Sequence, residues 1–70
     1  MTAADQLRAE GRAEGRREGH AEGLLDLLAA KFGEVPERID VFVRGADVAR
    51  LRMWNARVLA AETLDEVFAE

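Results

Sequence analysis

The chain has 70 residues, 49% of them hydrophobic types, but 13 of these are alanine, so 21 larger apolar side chains (Val, Ile, Leu, Met, Phe, Trp) remain for one small core. No cysteine and a single histidine, His20, exclude disulfides and thiolate zinc sites and leave no histidine pair for a metal, and a core this thin calls for support from a partner chain. Ten basic against 14 acidic residues give a net charge of -4 with no basic tail, which argues against bulk attraction to DNA, RNA or anionic lipid.

The chain divides into two unequal parts, residues 1–23 and residues 24–70. The first holds only Met1 and Leu7 from the larger apolar set and is built on a period of four: Glu10-Gly11-Arg12-Ala13, Glu14-Gly15-Arg16-Arg17, Glu18-Gly19-His20-Ala21, then Glu22-Gly23. Four residues is close to the helical turn of about 3.6, so glycine forms a nearly axial stripe, with Glu about 100° to one side and Arg12, Arg16 and His20 about 100° to the other. Four glycines cost a helix roughly 4 kcal/mol relative to alanine. Within the repeat a Glu finds another Glu four residues on and an Arg another Arg; only Glu14 with Arg17 escapes that pattern.

These losses make sense if the glycine stripe is a contact surface on which two helix backbones approach closely, crossing near -40° to -50°. In a parallel pair the Glu flank of one helix meets the Arg flank of the other; in an antiparallel pair like flanks repel. The stripe therefore predicts a parallel homodimer, with Gly11, Gly15, Gly19 and Gly23 at the seam and Glu14, Glu18, Arg12 and Arg16 beside it. A flexible charged linker and a merely solvated helix are the two competing readings of the same residues.

Leu24, Leu25, Leu28 and Phe32 continue the periodicity, which predicts one helix from about residue 3 to Phe32, about 45 Å long, ended by Gly33 in the left-handed position. On that helix Gly19 lies about 180° from the leucine face. Pro36 is expected at the first position of a second helix, with Ile39, Phe42 and Val43 inward and Gly45 at its end. Asp47 is the expected N-cap of a third, whose apolar side is Val48, Leu51, Trp54, Val58 and Leu59. Thr63 and Glu66 form a capping box for a last short helix carrying Leu64, Val67 and Phe68. The predicted fold is all-α: a long N-terminal Gly-repeat helix followed by three short helices forming a small cap, dimeric.

On the third helix Trp54 reads as core, whereas Asn55 projects between Leu51 and Leu59 and needs a hydrogen-bond partner if buried. Arg50, Arg52 and Arg57 give that helix a basic side, so a small DNA-binding helical domain is the alternative function; the surrounding carboxylates, among them Glu37, Asp40, Asp47 and Glu62, oppose it. No positive region leads into an apolar stretch and apolar runs are only a few residues long, so no signal peptide or membrane span is expected and the chain reads as cytoplasmic. Serine, tyrosine and cysteine are absent, which leaves two threonines, one lysine and the carboxylates as nucleophiles. No phosphate-cradling loop follows the glycines. No catalytic, cofactor-binding or metal-binding residue is assigned, and the chain is not expected to be an enzyme.

The run Glu18-Gly19-His20-Ala21-Glu22-Gly23-Leu24-Leu25-Asp26-Leu27-Leu28-Ala29-Ala30-Lys31-Phe32-Gly33-Glu34-Val35-Pro36-Glu37 resembles the C-terminal region of the bacterial recombination-promoting nuclease (Rpn) and PD-(D/E)XK-type transposase family, where an EGxxEG repeat leads into a leucine-rich segment and a Phe-Gly-x-x-Pro-like turn. The resemblance continues through Ala46-Asp47, Leu51, Trp54 and Ala61-Glu62-Thr63-Leu64-Asp65-Glu66-Val67-Phe68 and covers the chain from about residue 6. Members of that family carry their metal-dependent DNA-cleaving core upstream, with an Asp and a (Glu/Asp)-x-Lys. The only lysine here, Lys31, follows Ala29-Ala30, so no such site transfers. The resemblance implies a non-catalytic C-terminal module, of the kind that also occurs as a small separate protein restraining the full-length nuclease. The expected partners are therefore a second copy of the chain and a full-length Rpn-like nuclease, with no membrane.

Overall fold

The computed structural model describes residues 2–69, which form four helices and no strand: α1 (Ala3–Phe32), α2 (Glu37–Arg44), α3 (Val48–Val58) and α4 (Leu64–Phe68). Thirty residues in α1 give a rod about 45 Å long, which sets the long axis of a molecule measuring 48 × 20 × 17 Å. Helix α4 packs on α3, and α2 and α3 fold back on the C-terminal half of α1. Its N-terminal half projects as an arm on which every residue up to Arg16 is exposed.

Local chemistry starts and stops each helix. Thr2 Oγ1 accepts from the backbone N–H of Asp5 at 3.2 Å and satisfies one of the free donors at the start of α1. At the other end Gly33 has φ 84° and ψ -153°, a positive φ but not the left-handed helical position expected, and its N–H bonds the Ala29 carbonyl at 3.0 Å. Pro36 is the N-cap of α2 rather than its first helical residue: it is extended, at φ -60° and ψ 148°, and its carbonyl accepts from Ile39 and Asp40. Asp47 caps α3 as expected, Oδ1 accepting from Arg50 N at 2.9 Å. Thr63 Oγ1 accepts from Glu66 N at 3.3 Å, but the Glu66 carboxylate returns to the N–H of Glu62, not to that of Thr63, at 2.8 Å. The capping box is closed one residue early.

The core lies between α1 and the cap. Ala21, Leu24, Leu25 and Leu28 of α1 pack with Ile39 and Val43 of α2, Leu51, Trp54 and Val58 of α3 and Val67 of α4, joined by Ala46 and Ala61 from the connections. No charged or polar side chain is buried among the described residues. The inward arc of α3 is narrower than the expected stripe: Leu51, Trp54 and Val58 recur at steps of three and four, and Asn55 and Leu59 stand about 40° and about 80° beyond Leu51, outside it. Asn55 is exposed and so needs no partner within the fold, and Leu59, at the C-cap, is 81% exposed. Phe42 is likewise 48% exposed rather than fully inward, although its ring lies 5.2 Å from that of Trp54 and 5.9 Å from that of Phe68. Trp54 is core, as expected, and meets Phe68 edge-on at 5.0 Å.

Candidate functional site

The glycine stripe runs along the exposed face of α1. Gly11, Gly15, Gly19 and Gly23 are all solvent-exposed, and a Cβ placed on any of them would meet no heavy atom beyond its own stretch of helix within 4 Å. None has a positive φ, which is confined to Gly33. The folded monomer thus has no steric or conformational use for glycine at any of the four positions, while each costs the helix about 1 kcal/mol.

The cap seats against the opposite side of the same helix. Ala21 stands two residues from both Gly19 and Gly23, hence about 160° away around the axis, and is buried to 1% exposure. Arg17, one turn before it on that side, reaches the cap: its Nη1 donates to the carbonyls of Arg44 and Ala46, the latter at 3.3 Å. These carbonyls lie at the C-terminal end of α2, where a guanidinium is favoured by both hydrogen bonding and the helix dipole. The repeat has alanine at the equivalent positions 13 and 21, so Arg17 departs from it there, and that departure is the signal for this contact.

Arg17 also holds Glu14, with Nε at 3.2 and 3.1 Å from the two carboxylate oxygens and Nη2 2.5 Å from Oε1. That hydrogen bonding, aided by charge attraction, holds the Glu14 carboxyl below the usual glutamate range and raises the pKa of Arg17. Further along, Arg44 bridges Glu22 and Asp40, each at 2.7 Å, and those two bonds make its guanidinium still harder to deprotonate. The Glu flank of the stripe is therefore divided. Glu14 and Glu22 are already engaged within the chain, whereas Glu18, Arg12 and Arg16 form no ion pair or side-chain hydrogen bond among the described residues. Of the flanking residues expected at a seam, three stand free and Glu14 does not.

Arg44 also gives the stripe a wall. A groove of about 410 Å³ runs between it and Gly15 and Gly19, with Glu18 and Glu22 along its edge. On the far side the surface opens onto Arg12 and Arg16. Sequence reasoning missed this wall, since nothing in the spacing of Glu22 and Arg44, 22 residues apart, announces that they meet.

The basic side of α3 is less uniform than its sequence suggests. Arg57 donates Nη1 to the carbonyls of Val67 at 3.4 Å and Ala69 at 2.5 Å, tying down the end of α4. The side chains of Arg50 and Arg52 have no such partner among the described residues. Among those residues, too, no three His, Asp or Glu side chains come together as metal ligands, and no helix is long and apolar enough to cross a membrane. No protein-family model, curated protein or solved structure matches the chain.

Proposed function

We propose that this chain is a non-catalytic oligomerisation and regulatory module that self-associates as a parallel homodimer through the glycine stripe of α1, and that the same seam pairs with and restrains a full-length Rpn-like nuclease. The observation that carries the reading is the stripe itself: four glycines on successive turns of a solvent-facing helix, each destabilising, none required by the monomer fold. A second helix backbone seated on the stripe supplies the missing reason, because close approach is what the absence of Cβ permits. Free Glu18 on one helix and free Arg12 and Arg16 on the other give the parallel arrangement its charge pairing. Pairing with the same segment of a longer chain would form a mixed dimer and withdraw nuclease subunits from their own pairing.

Light scattering over a concentration series, on the wild type beside a Gly15→Leu, Gly19→Leu variant, tests the seam. The expected result is a wild-type dimer and a variant that is monomeric but at least as helical. A wild type that stays monomeric throughout would sink the proposal. Co-expression with a full-length Rpn-like nuclease tests the regulatory arm, with loss of co-purification in the same variant as the expected outcome.

The alternative, a small DNA-binding helical domain, draws on the unpartnered Arg50 and Arg52 on the exposed side of α3. Occupation of Arg57 by the α4 carbonyls and the net charge of -4 weigh against it. Salt-dependent affinity for duplex DNA that falls on removal of Arg50 and Arg57 would favour this reading over the first.

A further inference from the structure

A second surface lies on the cap, and α1 contributes nothing to it. Phe42 of α2, Met53 and Trp54 of α3 and Phe68 of α4 line a groove of about 220 Å³ whose rim carries Arg50 and Arg57. The three aromatic rings brace one another at 5.0 to 5.9 Å, so the floor is rigid. Two of its large apolar side chains are left in water, Phe42 at 48% and Met53 at 44% exposure, although the chain has few such residues to spare. Arg57 is anchored by the carbonyls of Val67 and Ala69, and Arg50 has no partner of its own among the described residues. An apolar trough between two guanidinium groups, on a protein that is acidic overall, is complementary to a ligand that is apolar in the middle and negative on either side.

We infer that this groove docks an acidic amphipathic helix from a partner protein, with one large apolar side chain over Phe42 and Met53 and carboxylates paired to Arg50 and Arg57. The two arginines are seven residues apart on α3, about 10.5 Å along its axis. A helix lying along α3 matches that span with carboxylates three residues before and four residues after its apolar anchor, all on one face. Single-stranded nucleic acid is the less favoured occupant: Trp54 is only 4% exposed, so it offers no stacking platform. The surface is independent of the glycine stripe, so the module would hold a second copy with α1 and a target with the cap.

Trp54 is the only tryptophan and lies in the floor of the groove, so its fluorescence reports occupancy. The probe is an alanine-based 16-residue helical peptide carrying one Phe, with Glu three residues before it and four after, titrated into the full chain. Saturable binding is expected, weakened at least tenfold when the peptide Phe becomes Ala, when both Glu become Lys, or when the protein carries Met53→Glu. Arg50→Glu, at an exposed position outside the core, should lose the Glu peptide and gain affinity for a variant with Lys at the facing position. Absence of saturation up to millimolar peptide would overturn the inference, as would equal binding of Glu and Lys peptides, or tighter binding of an oligothymidine. Self-association abolished by Met53→Glu would assign the groove to a second copy and overturn it too. Because the Gly15→Leu, Gly19→Leu variant keeps the groove, it should bind the peptide normally whether or not the seam forms dimers.

Discussion

Replacing Gly19 and Gly23 by alanine separates what the monomer needs from what the seam needs. Both glycines lie in the part of α1 that carries Ala21 and Leu24 into the core, so their helix propensity contributes to the cooperative stability of the domain rather than to fraying of the arm. A Cβ at either position meets nothing within 4 Å and neither φ is positive, so no steric or strain cost offsets the gain. The expected stabilisation is about 1 kcal/mol per site, about 2 kcal/mol together. For a domain of this size that raises Tm by roughly 8 to 16 °C and, with a urea m-value of about 1 kcal/mol/M, moves the midpoint by about 2 M. Urea unfolding followed by Trp54 fluorescence, at concentrations where the chain is monomeric by light scattering, is the assay. A monomeric double variant no more stable than wild type, or less stable, would refute the claim that the fold has no use for these glycines.

Other outcomes follow from single contacts. Arg17→Met removes the guanidinium from the end of α2 and is expected to lower the melting temperature, read by thermal denaturation. In the same variant the Glu14 carboxyl, held low by Arg17 in the wild type, should rise to the ordinary glutamate range in an NMR titration. Because its folded pKa is depressed, the contribution of this pair is complete above the unfolded value and is lost as pH falls through the folded one, so the stability gap between wild type and Arg17→Met should narrow at low pH to what the α2 carbonyl contacts contribute. Leu28→Ala, at a side chain with no exposed surface, should cost about 2 to 5 kcal/mol and leave much of the population unfolded by circular dichroism. Thr63→Ala should cost about 1 kcal/mol through loss of the α4 cap.

The long helix was legible because its signals agree: leucines at helical spacing, a glycine after Phe32 and a period-four repeat all point to one rod from Ala3 to Phe32. Asp47 and Thr63 were legible because caps are local chemistry. Leu59 was misjudged because an apolar stripe read from a projection is wider than the arc that two packed neighbours cover, and α3 ends one residue before Leu59. The half-exposure of Phe42 depends on where α4 comes to rest, which no local pattern encodes. Of the expected seam, exposure of the glycines was legible from their angle to the leucines. The engagement of Glu14 and Glu22 was only half so, since Arg17 is local to Glu14 whereas Arg44 reaches Glu22 through the fold.

The turn from Glu14 to Arg17 divides α1 into segments of unequal fate. Downstream, the backbone opens only when the cap unfolds; upstream, each hydrogen bond is held by the helix alone, with Gly11 among the residues holding it. Amide hydrogen exchange should therefore step by orders of magnitude across this one turn of an unbroken helix. A companion strand of helix laid on the arm must order it as well as contact it, and that entropy comes out of the association free energy. If the stripe seats a second helix as proposed, the join would form and dissolve readily, so that copies could trade partners while their caps stay folded.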